Sequence, residues 1–183
     1  MIGNFIADHI RGNNFNHFSR EIQQGIKLHR EIDTFTDGHD IVRKSKRRLH
    51  ERYRHYDGVI IDIFFDHYLA KNWSNYSEIP LDIFTNSINK LLDNKSPKLP
   101  EKSQRFIKYM IEYNILFNYQ HIEGIEKVLE GMNKRTKGKS QMNLAIKDLR
   151  ELDSEFNLDF KLFFKDLINF TNEKLSKIKR ISI

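Results

Sequence analysis

Two aspartates, Asp62 and Asp66, interrupt the otherwise apolar run Val59-Ile60-Ile61-Asp62-Ile63-Phe64-Phe65-Asp66-His67-Tyr68-Leu69. Such a run reads as a core helix, where an unpaired carboxylate is costly to desolvate. At i, i+4 spacing both carboxylates share one helical face, with His67 beside them. The pattern calls for a cation opposite: a divalent metal, or an arginine from a neighbouring helix. A second pair with the same spacing, His29 and Asp33, lies in Ile26-Lys27-Leu28-His29-Arg30-Glu31-Ile32-Asp33. Alone it reads as a surface interaction worth about a few tenths of a kcal/mol. Beside the first pair it suggests a metal centre assembled between facing helices, of the kind that activates a bound water.

Other residues carry weaker signals. Asp8 follows an apolar stretch and shares a face with Asn4, but its spacing alone reads as a solvated aspartate near a chain end. His39-Asp40 is a bare His-Asp dipeptide, and Asp40 serves equally well as a favourable first-turn charge. Arg43, Lys44, Lys46, Arg47 and Arg48 form the densest charge in the chain. That run is either a solvated helix face or a dock for an acidic surface or phosphate. The aromatics fall at core spacing rather than between lysines and arginines, so no stacking platform for nucleic acid is indicated. Trp73 is expected to anchor packing.

These residues need a scaffold, and the composition bounds it. The chain has 183 residues, a net charge of +6 and no cysteine. One domain is expected at this length. Disulfides and thiolate ligands are excluded, so a metal must rest on His, Asp, Glu, Asn or water, a set that suits Mn, Mg, Fe or a His-rich Zn site. The basic balance favours an acidic partner. No apolar stretch is long enough to cross a membrane, and the N-terminus lacks the pattern of a secretory signal, so a cytoplasmic protein is expected.

Apolar residues recur at helical spacing throughout. This predicts helices near residues 2–11, 18–33, 39–55, 58–73, 80–93, 101–120, 122–133, 141–155 and 158–178. Gly12-Asn13-Asn14, Asp37-Gly38, Pro80 and Ser96-Pro97-Lys98-Leu99-Pro100 punctuate them. The fold class is therefore all-α, a single-domain helical bundle spanning residues 1–183.

Three segments together resemble the acyl carrier protein phosphodiesterase family, a divergent relative of the HD phosphohydrolases. They are Gly3-Asn4-Phe5-Ile6-Ala7-Asp8, then Gly25-Ile26-Lys27-Leu28-His29-Arg30-Glu31-Ile32-Asp33-Thr34-Phe35-Thr36-Asp37, then Asp62-Ile63-Phe64-Phe65-Asp66-His67-Tyr68-Leu69-Ala70-Lys71-Asn72-Trp73. Tyr119, Leu129-Glu130-Gly131-Met132 and Arg135 extend the likeness to about residue 135. The resemblance implies an HD-domain-like helical fold. It also implies hydrolysis of the phosphodiester that joins 4′-phosphopantetheine to a serine of holo-acyl carrier protein, with a divalent ion, typically Mn, as cofactor.

Carried over by motif, Asp8, His29, Asp33, Asp62, Asp66 and His67 become candidate metal ligands, with Asp8, His29, Asp33 and Asp66 as catalytic candidates. Asp8 is expected to orient or deprotonate the attacking water, and Arg30 to neutralise phosphate. Arg43, Lys44, Lys46, Arg47 and Arg48 are expected to meet the acidic carrier protein. Family members usually begin with a further short segment carrying an Asn-Phe-Leu-Ala-His-like motif. Here Met1 directly precedes Gly3-Asn4, so that segment is expected to be absent, leaving a groove open to self-association. Two other classes fit the residues: an HD-like phosphohydrolase acting on nucleotides or another phosphodiester, and a helical binding module whose aspartates pair with arginines.

Overall fold

A computed structural model describes residues 1–10 and 12–181. Among the described residues there is no strand, and the all-α expectation holds. In chain order the helices are α1 (Ile2–Ile6), α2 (Arg20–Gly38), α3 (Asp40–Tyr53), α4 (Asp57–Lys71) and α5 (Leu81–Lys95). They continue with α6 (Glu101–Glu112), α7 (Ile115–Asn118), α8 (Ile122–Arg135), α9 (Ala145–Glu151) and α10 (Asp153–Ile181). A 3₁₀ turn, Ala7–His9, extends α1. Among the described residues no helix is long and apolar enough to cross a membrane.

Several boundaries differ from the periodicity reading, the second helix running on to Gly38 and the ninth spanning only Ala145–Glu151; two further differences have a local cause. The helix expected near 101–120 is cut at Asn114, whose φ of 46° and ψ of 45° are left-handed. Asparagine tolerates that conformation because its short side chain bonds locally. The last helix begins at Asp153 rather than near 158. Asp153 and Glu155 fall in its first turn, where negative charge complements the helix dipole, whereas the apolar periodicity starts only at Phe156.

The apolar residues gather into two clusters. Phe64, Tyr68, Phe156 and Phe160 centre one, built by α3, α4, α8, α9 and α10. Ile6, Ile26, Leu92 and Ile107 centre the other, built by α1, α2, α5 and α6. The helix α4 is apolar almost all round, as a central helix must be. The long α10 packs along α2, α3 and α4, and α2 reaches both clusters, with Ile26 in the second and Phe35 against the first.

The N-terminal helix is seated by glycine. A Cβ on Gly3 would stand 2.1 Å from the Ile22 carbonyl oxygen, and one on Gly25 would stand 3.0 Å from the Gly3 Cα. Backbone therefore meets backbone where α1 crosses α2, which brings Asp8 over the middle of α2.

His39-Asp40 does local work. His39 caps α3, its Nδ1 accepting from the Ile41 N–H at 3.3 Å, and its Nε2–H donates to Asp166 at 3.4 Å. Asp40 pairs with Arg43 at 3.4 Å.

Candidate active site

A cleft of about 580 Å³ opens between α2, α4 and α10. One side carries Asp8, His29, Asp33, Asp37, Asp62 and Asp66. The other is apolar, with Phe65 and Leu69 from α4 and Phe160, Phe163, Phe164 and Leu167 from α10. Both i, i+4 pairs picked out by spacing thus face the same space, and Asp8 joins them from the 3₁₀ turn.

His29 is the pivot. Its Nε2 stands 3.0 Å from Asp8 Oδ1 and 3.2 Å from Asp33 Oδ2. Its other ring nitrogen, Nδ1, lies 3.3 Å from Asn4 Oδ1. A carboxamide oxygen only accepts, so Nδ1–H donates to Asn4 and Nε2 is the atom presented to the two carboxylates. The facing carboxylates raise the imidazole pKa, chiefly through the bond to Asp8 and against the opposing effect of burial. Burial raises Asp33, and His29 partly offsets it. The ligand atoms of Asp8, His29 and Asp33 lie within 4.8 Å of one another. Two carboxylate oxygens and one imidazole nitrogen, oriented from behind by Asn4, are a donor set suited to Mn, Fe or Zn.

Asp62 and Asp66 form the α4 wall. Their carboxylates reach the water of the cleft, yet protein crowds closely around them. Burial pushes Asp62 up to about 6; Lys46 lowers it, while Asp37, Asp33 and Asp8 raise it. Burial and the neighbouring Asp62 push Asp66 up to about 7. Among the described residues neither carboxylate has an ion pair within 4.0 Å, so arginines do not satisfy them as the binding-module reading requires.

Two expected residues stand elsewhere, while Trp73 anchors packing as expected. His67 is turned to another face of α4: its Nδ1–H donates to the Tyr119 carbonyl at 2.7 Å, and its buried Nε2 has no hydrogen-bond partner. Arg30 does not point at the acids. Its guanidinium donates to the carbonyls of Ile10 at 3.2 Å and Gly12 at 2.6 Å, and lies over the Phe15 ring. Trp73 is an anchor, its indole N–H donating to the Ile79 carbonyl at 2.7 Å.

The basic run divides by helix face. Asp159, with its side chain 1 % exposed on α10, takes Lys44 at 3.1 Å, Ser45 at 2.8 Å and Arg48. Lys46 donates to Asp37 at 2.9 Å, at the rim of the cleft. Arg43 and Arg47 remain exposed on the outer face, with the outer part of Lys44 beside them.

Sequence reasoning missed Asp37, although His29, Asp33 and Asp37 follow one another at intervals of four residues and so share a face. The aromatic wall of α10 gave no such signal, because its phenylalanines are indistinguishable in sequence from core residues.

Residues 1–167 match the family described as acyl carrier protein phosphodiesterase. Proteins named acyl carrier protein phosphodiesterase from Photorhabdus laumondii, Pectobacterium atrosepticum and Klebsiella pneumoniae are 27 %, 26 % and 28 % identical to it. These matches cover 95 %, 90 % and 94 % of this chain and 88 %, 86 % and 90 % of the relatives. No solved structure matches significantly. With a match running through every element that lines the cleft, the chain belongs to the acyl carrier protein phosphodiesterase family.

Proposed function

We propose that this protein is a metal-dependent phosphodiesterase that removes 4′-phosphopantetheine from holo-acyl carrier protein, leaving the apo form. The observation that carries the reading is a single cleft, in a chain of this family, where six acidic or imidazole side chains from three elements converge against one lysine, Lys46, at the rim. Asp8, His29 and Asp33 would hold the ion, with Mn favoured and Mg or Fe also suited to the donors. When bound, it supplies a lowered pKa for water and polarisation of the phosphoryl oxygens.

The chain supplies the rest. With the ion bound, Asn4 would keep the His29 Nε2 lone pair aimed into the cluster, where Nε2–H otherwise donates to Asp8. Asp66, outside that cluster and held close to neutral pH by its surroundings, takes the proton of the attacking water. Attack at phosphorus breaks the bond to the serine oxygen of the carrier, which leaves as the serine hydroxyl with a proton from solvent, while Asp66 returns the proton it took to solvent. Lys46, at the rim beside Asp37, is the cation that meets phosphate, in place of Arg30. Outside the cleft, Arg43, Lys44 and Arg47 offer positive charge to an acidic carrier.

The test is mass spectrometry of holo-acyl carrier protein incubated with the protein, in manganese and in EDTA. Loss of the phosphopantetheine mass in manganese alone is expected. An intact holo form under both conditions overturns the reading.

A further inference from the structure

The geometry points to a dedicated subsite for the gem-dimethyl group of the pantoyl unit, in a small apolar pocket behind Asp66; this inference rests on the substrate class proposed above. The pocket has a volume of about 130 Å³ and lies between α4, α5 and α7. It shares Asp66 and Leu69 with the acidic cleft, so the two spaces meet at one carboxylate. Beyond that junction the lining turns apolar, with Ala70, Phe84, Leu116 and the ring of Tyr119. Burial holds the Tyr119 phenol well above its usual range, with Asp66 adding to the effect, so the hydroxyl stays protonated beside the acid.

The chemistry of the arm matches this order of surfaces. In 4′-phosphopantetheine one methylene separates the phosphate ester oxygen from a quaternary carbon bearing two methyl groups. A phosphate placed at the acids thus carries a compact apolar group at fixed short range, before any amide of the arm. The acidic side of the cleft offers that group no apolar contact, and the pocket behind Asp66 does. The wall on α10 lies on the other side of Asp66 and remains for the rest of the arm. A pocket that recognises a methyl-sized group separates ligands by about tenfold or more. The subsite would therefore distinguish this phosphodiester from others of similar charge.

The experiment is calorimetric titration of the full chain, with manganese present, using 4′-phosphopantetheine, its analogue lacking both methyl groups, and inorganic phosphate. The wild-type protein is expected to bind 4′-phosphopantetheine about tenfold tighter than the analogue. Ala70→Leu, which fills the pocket, should abolish that preference and leave phosphate binding unchanged. Leu116→Trp fills it from the opposite side and guards against a folding defect in the first variant. The inference is overturned if the wild-type protein shows no preference, if both folded variants keep it, or if Phe164→Ala on the α10 wall removes it instead. No carrier protein or turnover is involved. A preserved preference with an intact holo carrier would sink the hydrolase reading alone, and turnover without preference would sink the subsite alone.

Discussion

Asp66 and Asp159 are the same residue on two neighbouring helices, Asp159 shut inside the core and Asp66 open to the cleft, and their surroundings are opposite. Asp159 is met by an ammonium, a hydroxyl and a guanidinium from α3. Asp66 is met by a second carboxylate and a phenol. The first is a completed electrostatic contact that locks α10 to α3. The second is an incomplete one whose missing partner must come from solvent. The donors that face an acid thus separate structure from chemistry.

The sharpest way to break the contrast is to neutralise each acid. Asp159→Ala leaves Lys44 and Arg48 without their counter-charge and is expected to cost about 3 kcal/mol of stability, read by denaturant unfolding. The partial access of both cations to water keeps the figure at the low end of that range. Asp66→Asn should instead raise the melting temperature of the metal-free protein at pH 7.5 while eliminating turnover. Equal destabilisation by both changes would remove the distinction.

Manganese offers the next test. At about a hundredfold excess over its dissociation constant it should stabilise the wild-type protein by about 2.7 kcal/mol through linkage, reversibly with EDTA. Asp8→Ala and His29→Ala should lose most of that gain, and Arg43→Glu should keep it. A melting temperature indifferent to manganese would leave the acidic side of the cleft without a partner.

Acidity gives a smaller effect of defined sign. The folded-state values of Asp62 and Asp66, about 6 and about 7, lie above the ordinary carboxylate value of 3.8. Between those limits the folded chain binds more protons than the unfolded one, so stability falls as pH rises from about 4 to about 7. Lys46, Asp37, Asp33 and Asp8 act on Asp62, and Asp62 on Asp66. The raised His29 adds in the same sense, its contribution lost as pH climbs through its folded value. The lowered His67 works the other way, contributing above its unfolded value and losing that as pH falls. Metal-free protein should thus melt higher at pH 5.5 than at pH 7.5, and Asp66→Asn should flatten the difference.

The smallest effect concerns the outer face of α3. Reversing Arg43 and Arg47 to glutamate should raise KM for the carrier protein several-fold and flatten the salt dependence of kcat/KM, with kcat unchanged. An unaltered salt slope would reduce this face to ordinary solvation.

Much of this was legible from spacing. The i, i+4 pairs and the apolar run around Asp62 and Asp66 announced a helix that presents acids to something cationic; Asp8, a solvated aspartate by spacing alone, became a candidate only through the family resemblance. What spacing could not supply was direction. His67 sits one residue from Asp66, and that single step turns it away toward the Tyr119 carbonyl. Lys44 and Arg48 look like their neighbours in a charge run, yet their partner Asp159 lies more than a hundred residues away in the chain. Arg30 was expected at phosphate because it follows His29, although the following residue on a helix points about a quarter-turn aside. Contacts within one helical face can be read locally; contacts between helices depend on the crossing of elements.

The crossing of Gly3 over Gly25 has one more consequence. Asp8 arrives at His29 from a helix of five residues, anchored by Ile6 in the second apolar cluster and crossing α2 where neither glycine has a side chain to interlock. The rest of the cluster belongs to the long α2. Any cation gripping Asp8, His29 and Asp33 together would therefore act as a clasp on the first ten residues, and undocking of that segment would open the clasp. Occupancy of the cluster and protection of the N-terminal amides from hydrogen exchange then become two readings of one equilibrium. The start of the chain would be as well ordered as its ion is tightly held.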